Sequence, residues 1–556
     1  MKLARPNSLF LIIATVLFSI VSFYYLSKAN NLGSNEAAGQ LTKKASIIEW
    51  EHFPVGSDFK LENLVPDDTF LNYDSKAALG IIENVKSKPS LYYKSSERIY
   101  PILLHTRASG IPHYISGQFS RLFPSAIGLI ILPWILSIMT FVLALVIVKK
   151  SSELTIPFVL VALTTPQLLY FTYPFFPDDY ASFAVIILAL FIFQKAESKT
   201  DFRRIGFLFG LTLYIKLAAV ILLPIFFILS FKKVFSNIKY IIQGAIPFLI
   251  LFIFVTNFQD FFYLLGHEKT LIKPSQFNLD VFKYFALNQF VPGFTFSHIM
   301  SLNPTFPTNI NKTLLIQGAL QAIATVGFII AFTKPQDIAR LIGFIFLFVL
   351  GTCVVASGLN EDLLGYMGQG LALLMLVLFI FLDKEKILAK KMLFYTLFGF
   401  FFITRIIGFY NWNTEFNKYS HSFNKCVWAY DCMVKDWNES GILKEKQLVT
   451  LYYLDIGQIE FFSQEKIKPI HVNWKYSKIP SKENFIGFLS HFPAQEFYIL
   501  SSKELGIATD LATYLKVSEA DVEATLLKNK IKMDIVKHYD YPAISREYTL
   551  IKLTKI

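Results

Sequence analysis

The chain has 556 residues, of which 54% are apolar, 16% are aromatic and only 17% are charged, and Phe alone occupies 57 positions. A soluble domain cannot bury that much apolar surface, so this composition excludes an ordinary water-soluble protein and predicts an integral membrane protein. The formal net charge of +12 does not predict a nucleic-acid partner, because the Lys and Arg residues lie between the apolar runs, as they do in the short cytoplasmic loops of membrane proteins.

The amino-terminal region begins with a single apolar run. Lys2 and Arg5 precede this run, which covers residues 8–27, so we expect a first transmembrane anchor over residues 1–28 with its amino terminus in the cytoplasm. The run is longer than the apolar core of about 7–15 residues in a cleaved signal peptide, which favours a retained anchor. Residues 29–124 are then expected to form a first extracytoplasmic loop.

Residues 125–409 are predicted to form a multi-span membrane domain. The basic pairs Arg203-Arg204 and Lys232-Lys233 flank the apolar residues 205–230, and both ends are expected in the cytoplasm because basic residues favour that side. Only a helical hairpin satisfies this condition, with Lys216 at its outward tip. Each of the other apolar runs is near the roughly 20 residues that cross about 30 Å of hydrocarbon. They lie at about residues 125–148, 154–176, 180–194, 240–257, 313–332, 339–357, 364–382 and 392–409.

The carboxyl-terminal residues 410–556 are richer in charge. Strand-like segments LVTLYYL and EFYILSS alternate with helix-like stretches such as residues 503–529, which is typical of a small α/β domain. Cys426 and Cys432 lie at its start, in a compartment where disulfides persist, and their spacing permits a bridge without requiring one. The predicted fold class is therefore mostly α, a polytopic membrane helical bundle of about eleven transmembrane helices with a carboxyl-terminal extracytoplasmic α/β domain.

Two pairs of carboxylates lie on the outward side of the predicted membrane domain. Asp67-Asp68 lie in the first loop, in LVPDDTFLNYD, and Asp178-Asp179 lie in the turn PDDY between two spans. Glycosyl transfer from a lipid phosphate needs two separate carboxylate centres, one as base for an acceptor hydroxyl and the other to orient it or to hold a cation. Solvated loop and turn residues are the alternative for both pairs.

Cationic side chains on the same side of the membrane would bind the donor. Lys216, Arg107 and Arg405 would neutralise the phosphate or pyrophosphate leaving group. The alternative for Lys216 is that its side chain snorkels toward the membrane interface.

The outer loop over residues 259–312 contains His267, Glu268 and His298, a set that invites a metal-site interpretation. No two of them have the i, i+4 spacing of a helical ligand pair, so the spacing favours a loop that orders over bound donor or acceptor. The sequence contains no P-loop, GxSxG or HExxH motif, which removes the usual signatures of soluble enzymes.

Residues 60–235 resemble the GT-C superfamily of polytopic glycosyltransferases, which includes protein O-mannosyltransferases, oligosaccharyltransferases and aminoarabinose transferases. The resemblance rests on the acid pair of the long first loop and on three stretches in order: HTRASGIPHYISGQFSRLF, TTPQLLYFTYPFFPDDYASFAVIILALFIFQKA and RRIGFLFGLTLYIKLAAVILLPIFFIL. The last of these looks like the family's Gly-rich hairpin with a Lys at its turn. Three features depart from the family. The first-loop pair is Asp-Asp instead of Asp-Glu, it lies well beyond the first span (residues 67 and 68, against a run that ends at residue 27) instead of directly after it, and EDLLGYMGQ lacks the Arg of the family's late Arg-Tyr.

The resemblance implies roles for particular residues. The implied roles are Asp67 or Asp68 as the first-loop catalytic carboxylate, Asp178 or Asp179 as the second-loop acid and Lys216 as the group facing the donor phosphate, with Tyr366 lining the donor site. Placement on the outward side, and not the resemblance, assigns Arg107 and Arg405 to the donor phosphate and His105 and His113 to contact with substrate.

The same resemblance implies inverting transfer of a sugar from a polyprenyl-phosphate donor, which enters from the membrane lipids, to an extracytoplasmic lipid, glycan or protein. The expected location is the periplasmic face of a bacterial inner membrane. The sequence identifies no cofactor with certainty, and a divalent cation, Mg²⁺ or Mn²⁺, is the one that stays open. No nucleotide sugar is needed on that side, in keeping with a sequence that lacks a Rossmann-like region.

Three other functions remain open at the level of the sequence. A polysaccharide polymerase or ligase would also use lipid-linked glycans, but would lack the early acidic loop and the Lys hairpin. A transporter would show inverted repeats and polar residues at mid-membrane. A membrane scaffold without catalytic activity would tolerate loss of both Asp pairs.

Overall fold

The computed structural model describes residues 8–29, 92–95, 98–101, 126–148, 154–164, 177–255, 312–355, 363–420, 429–451, 470–471, 482–504, 507–541 and 546–556, with isolated residues in 111–123 and 459–469. The chain divides into two compact units. The helical unit contains residues 1–29, 103–113 and 130–417, and the sheet unit contains residues 30–102, 114–129 and 418–556.

The helical unit is built from helices joined by turns that are short where they are described. Its described helices are α1 (Ser8–Ala29), α2 (Ala126–Val148), α3 (Thr155–Leu163), α4 (Pro177–Lys195), α5 (Lys199–Ile215), a 3-10 segment (Leu217–Leu222), α6 (Pro224–Ser236), α7 (Ile238–Val255), α8 (Lys312–Phe332), α9 (Pro335–Val355), α10 (Leu363–Phe381), α11 (Lys384–Ala389) and α12 (Lys391–Ser420).

These helices turn large apolar side chains outward and keep polar ones inside. Helix α8, for example, exposes Ile323, Val326 and Ile330 but buries Gln321 and Thr325. A helix at the surface of a water-soluble protein shows the reverse pattern. Outward-facing apolar side chains with inward-facing polar groups suit a hydrocarbon environment, so the unit is built for association with a membrane.

Fewer of the described helices can span a membrane than the sequence predicts. In the described part of the chain, two stretches are long and apolar enough to cross a membrane, Ile131–Val148 in α2 and Pro335–Thr352 in α9. Helices α6 and α7 add a third if the pair, bent by 102°, counts as one broken span. The prediction of a polytopic bundle of about eleven transmembrane helices is therefore wrong.

The physical reason is that helices end or bend where the apolar sequence continues. Helices α6 and α7 meet at a bend of 102°. Helix α3 ends at Leu163, although the apolar run in the sequence continues to about residue 176. Apolar composition alone does not report where a helix stops.

The helix break expected at Lys216 is present. Helix α5 ends there, and the backbone of Lys216 is extended (φ −152°, ψ 112°) before the 3-10 segment begins. The chain then runs back through α6, because Lys233 near the end of α6 donates a hydrogen bond of 2.6 Å to the carbonyl of Phe193 at the end of α4. The basic pairs on either side of Lys216 therefore lie at the same end of the helical unit.

Helix α7 runs parallel to α5 and in close contact with it. The Arg203 side chain bonds Gln243 at 3.2 Å, and further along both helices the Phe207 and Phe248 rings lie 4.8 Å apart. Small residues permit this approach: Gly206 faces the backbone of Ile241 so closely that a Cβ there would overlap its carbonyl oxygen. Close packing through small residues is a common way for helices to associate in membranes.

Alanine at Gly206 or Gly244 is expected to push α5 and α7 apart, because a Cβ on Gly244 would overlap the carbonyl oxygen of Arg203. We expect either change to cost about 1–3 kcal/mol and to lower the melting temperature of the purified protein. A Cβ added to Gly327 or Gly343 would meet no atom within 4 Å, so Ala there is the matched control and adds helix propensity worth up to about 1 kcal/mol. Equal melting temperatures for all four variants would contradict the close contact.

The sheet unit contains a mixed sheet. The described elements are a separate hairpin of β1 (Tyr92–Ser95) and β2 (Arg98–Pro101), then α13 (Ala429–Ser440), β3 (Leu448–Thr450), β4 (Ile470–His471), α14 (Lys482–His491), β5 (Glu496–Glu504), β6 (Ile507–Thr509), α15 (Leu511–Leu515), α16 (Val522–Lys528), β7 (Ile531–Tyr541) and β8 (Arg546–Lys555). The strand order in the mixed sheet is β4–β3–β5–β8–β7, with β6 also paired to β5. Strands β3, β4 and β5 are parallel to one another, and β5, β8 and β7 are antiparallel neighbours.

Helices cover both faces of this sheet. Side chains alternate along β5, so Phe497 and Ile499 pack with α14, α15 and α16 while Tyr498 and Leu500 pack with α13. Strand β3 lies within LVTLYYL, and β5 covers EFYILSS and two further residues, so both segments that the sequence marks as strand-like contain strands. The stretch 503–529 is not wholly helical, since β6 precedes its two short helices.

Helix α13 is fixed to strand β7 by one carboxylate. Asp436 accepts hydrogen bonds from Lys537 Nζ and from the Tyr539 hydroxyl, each at 2.6 Å. Burial of the Asp436 carboxyl acts to raise its pKa, but the hydrogen bonds from Lys537 and Tyr539 outweigh that effect and lower the pKa. The ionised form therefore stabilises the folded sheet unit.

Replacing this carboxylate with Asp436→Asn is expected to cost about 1–3 kcal/mol at pH 7, because a charge-assisted bond is lost. The folded-state pKa is lowered, so the contribution is fully present above the unfolded pKa of about 3.9 and is lost as the pH falls through the folded-state value. Hydrogen exchange of β7 amides at pH 7 measures the effect. Asp534→Asn, which removes an exposed pair with Lys532 at 3.1 Å, is the control; equal β7 protection in both variants would contradict this role for Asp436.

Candidate functional site

Several of the predicted site residues lie outside the described residues. They are Asp67, Asp68, His105, Arg107 and His113. The loop with His267, Glu268 and His298 also lies outside the described residues. Their assignments stay predictions. The structure does describe the backbone of Asp178, Asp179 and Tyr366, and both backbone and side chain of Lys216 and Arg405.

Asp178 and Asp179 belong to a helix and not to an open turn. Helix α4 begins at Pro177, which places both residues in its first turn. Proline is favoured at the first helical position because its missing N–H has no intrahelical partner there. Acidic residues are favoured in the first turn because the amino-terminal end of a helix carries partial positive charge. The helix end therefore provides a local structural reason for the sequence PDD.

Lys216 follows the last residue of α5. Its N–H bonds the carbonyl of Thr212 at 2.9 Å, which closes the helix, and its side chain is only 7% exposed. The prediction placed this lysine at an outward tip. The structure places it at a helix end, where it is buried.

The helix pair α4 and α5 brings the acid pair and this lysine to one end. Three residues connect the two helices, which pack against each other, and Ser198 and Asp201 close the turn as a reciprocal cap at the start of α5. Helices of 19 and 17 residues have lengths of about 28 and 25 Å. The start of α4 and the end of α5 therefore lie at a similar height, and α4 also contacts the 3-10 segment.

The basic turns lie at the opposite end of the helical unit. The α8–α9 and α10–α11 turns are held together there, since Lys386 Nζ donates to the Thr333 carbonyl at 2.8 Å and Lys334 pairs with Asp383 at 3.8 Å. Helix α9 packs along α6 and its far end reaches the 3-10 segment, so its start lies near the end of α6. The basic residues of this end are Lys195, Lys199, Arg203, Arg204, Lys232, Lys233, Lys239, Lys334, Arg340, Lys384, Lys386, Lys390 and Lys391.

Arg405 has a structural contact inside the helical unit. Its side chain is only 4% exposed, and Nη2 donates to the carbonyl of Thr164 at 3.1 Å. Thr164 caps the end of α3, where partial negative charge favours a cation. The guanidinium also lies 5.4 Å from the Phe401 ring. This contact ties α12 to α3, whatever further role the residue has.

A buried polar pair beside Arg405 escaped the sequence analysis. Thr404 of α12 donates a hydrogen bond to the Gln321 side chain of α8, and both residues are buried. The available signal was one amide inside the apolar run of α8. Its partner could not be identified, because the two residues lie 83 positions apart.

Tyr366 lies in the first part of α10, and the structure does not describe its side chain. Within the described residues, no group of three His, Cys, Asp or Glu side chains could hold a metal ion. The described residues therefore give the optional Mg²⁺ or Mn²⁺ no site.

Cys432 is disulfide-bonded. The chain has three cysteines, so the partner is Cys426 or Cys353. Cys426 is the partner that the sequence suggested, and it lies outside the described residues. A structural disulfide is typical of an oxidising compartment.

Removing the Arg405 guanidinium tests its structural contact. Arg405→Ala leaves the end of α3 without this donor and is expected to cost about 1–3 kcal/mol, as other unsatisfied buried groups do, with a lower melting temperature in detergent. Arg340→Ala is the control, because Arg340 makes an exposed pair with Asp337 at 2.9 Å that is worth at most about 1 kcal/mol. A melting temperature equal to that of the control would show that the Thr164 contact contributes little.

Comparison with known proteins gives no family for this chain: no protein-family model matches it, and no curated protein matches it significantly.

Proposed function

We propose that the chain is a membrane glycosyltransferase that moves a sugar from a polyprenyl-phosphate donor to an acceptor outside the cytoplasm. The observation that carries the proposal is the placement of Asp178 and Asp179 at the end of the helical unit where Lys216 lies, opposite the basic turns. Carboxylates and a buried ammonium group at one end of a membrane-associated unit are the groups this reaction needs. The likeness of residues 60–235 to the GT-C superfamily supports the same activity.

The chemistry assigns one task to each group. A carboxylate of the Asp178-Asp179 pair, or of the Asp67-Asp68 pair in the first loop, takes the proton from the acceptor hydroxyl. The acceptor oxygen attacks the anomeric carbon as the bond from that carbon to the phosphate oxygen breaks. The leaving phosphate keeps the electron pair, and Lys216 offsets its negative charge. Attack opposite the leaving group inverts the anomeric centre.

The proposed location is a bacterial inner membrane with the reacting groups on the periplasmic face. Basic residues favour the cytoplasmic side, and the basic turns lie opposite Lys216. The disulfide at Cys432 supports a sheet unit outside the cytoplasm. Donor and membrane lipids would reach the helical unit from the bilayer, and a glycan, lipid or protein acceptor would reach it from the aqueous side.

Changing the acid pair tests this activity directly. Cells carrying Asp178→Asn with Asp179→Asn are expected to lose one envelope glycan modification and to accumulate its polyprenyl-linked donor, because the base that activates the acceptor is missing. Mass spectrometry of lipid-linked saccharides and envelope glycans measures both, and the mass that disappears identifies the sugar. Asp67→Asn with Asp68→Asn is the parallel test of the first loop.

Asp337→Asn is the matched control, since this carboxylate lies among the basic turns, where it pairs with Arg340. Its glycan profile is expected to equal that of wild type at the same protein level. Unchanged glycans and donors in both paired variants would overturn the glycosyltransferase proposal and favour a transporter or a scaffold.

A further inference from the structure

The junction of α6 and α7 is a fixed bend. Helix α6 loses helical geometry at Ser230 (φ −161°, ψ 85°), and the axes of α6 and α7 differ by 102°. Two hydrogen bonds of Asn237 stabilise the bend. Its side-chain Nδ2 donates to the Lys233 carbonyl at 2.9 Å, and its own carbonyl accepts a hydrogen bond from the N–H of Tyr240. We call residues 231–242 the elbow.

The inner side of the elbow is occupied by contacts within the protein. Val234 is buried. Lys233 bonds the Phe193 carbonyl, and its ammonium nitrogen lies 4.9 Å from the centre of the Phe193 ring and 6.0 Å from that of Phe202. Lys233 therefore closes the end of α4.

The outer side of the elbow combines aromatic and cationic side chains. Phe231 and Phe235 are 62% and 63% exposed, and their rings stack 5.7 Å apart. Lys232 and Lys239 are exposed on the same segment. Ile242 continues the exposed apolar surface into α7. A water-soluble surface would rarely leave two stacked Phe rings this open.

Neighbouring residues of α5 add positive charge. Lys199 and Arg203 lie over the Tyr240 ring at 5.6 and 5.7 Å. Arg204 is exposed and has a long contact of 3.6 Å with Asp201. Glu197 and Asp201 are the acidic residues of this part of the described chain, so cations outnumber them around the elbow.

We propose that the elbow binds the headgroups of anionic phospholipids. The end of α6 is inclined steeply to the apolar helix α7. Its Phe side chains suit the acyl boundary of a membrane, and the Lys side chains of the elbow suit the lipid phosphates. The long stems of Lys232 and Lys239 allow their ammonium groups to reach the headgroup level while the Phe rings stay in the apolar layer. The site lies among the basic turns and is separate from the end that carries Lys216.

Positive charge at this end of the helical unit does not by itself define the site. The α8–α9 and α10–α11 turns are also basic and serve as the comparison. Lys334 and Lys386 there are bound to Asp383 and to the Thr333 carbonyl. Lys384 and Lys390 are exposed and carry the same charge as Lys232 and Lys239, so they form a charge-matched control on the same side of the helical unit.

Native mass spectrometry of the full-length protein in detergent tests the proposal with phosphatidylglycerol and phosphatidylcholine as probes. We expect wild type to retain phosphatidylglycerol in preference to phosphatidylcholine. Lys232→Ala with Lys239→Ala is expected to weaken phosphatidylglycerol binding about thirtyfold, since each of the two basic residues near an anionic membrane surface contributes about 1 kcal/mol. Lys384→Ala with Lys390→Ala is expected to leave that binding within twofold of wild type.

Two further variants and one competition experiment distinguish the binding of a whole lipid from simple attraction between charges. Lys232→Arg with Lys239→Arg keeps the charge and is expected to retain binding, whereas Phe231→Ser with Phe235→Ser removes the apolar contact and weakens it. Glycerophosphoglycerol, the headgroup without acyl chains, is expected not to compete. Equal loss in the elbow and control lysine variants, retention in the elbow alanine variant, or full competition by the soluble headgroup would each overturn the proposal.

Discussion

The close contact between α5 and α7 fixes the arrangement of the helical unit. Both helices run in the same direction, with Gly206 against the backbone of Ile241, so the chain between them must travel back along the full length of the pair. The 3-10 segment and α6 make that return. Positive residues at the start of α5 and at the end of α6 meet at one end as a result, and Lys216 is left at the other.

This separation of charge organises both proposals. The end with Lys216 also receives the start of α4, and therefore the backbone of Asp178 and Asp179, which is the basis for the proposed glycosyl transfer. The opposite end gathers the basic turns, and among them the elbow presents stacked Phe rings beside exposed lysines, which suits anionic headgroups. Packing thus gives the two ends of one helical unit different chemistry.

Features that depend on local charge could be predicted from the sequence. Features that depend on where helices end or on contacts between distant residues could not. Basic pairs on both sides of residues 205–230 indicated a reversal at Lys216, because positive residues favour one side of a membrane. Apolar runs overstated the spans, because hydropathy does not show that α3 stops at Leu163 or that α6 bends at Ser230. The Arg405 contact with Thr164 joins residues 241 positions apart, and no local pattern reveals it.

The proposal that the basic turns lie in the cytoplasm and the sheet unit outside it is the central claim, and side-specific labelling of single cysteines tests it most directly. Lys390→Cys lies among the basic turns and Lys528→Cys lies on the exposed side of α16 in the sheet unit; the protein with its native cysteines alone gives the background. With a membrane-impermeant maleimide, Lys528→Cys is expected to react in cells with an intact inner membrane and Lys390→Cys only after lysis. Labelling of both positions, or of Lys390→Cys alone, before lysis would contradict the proposed orientation.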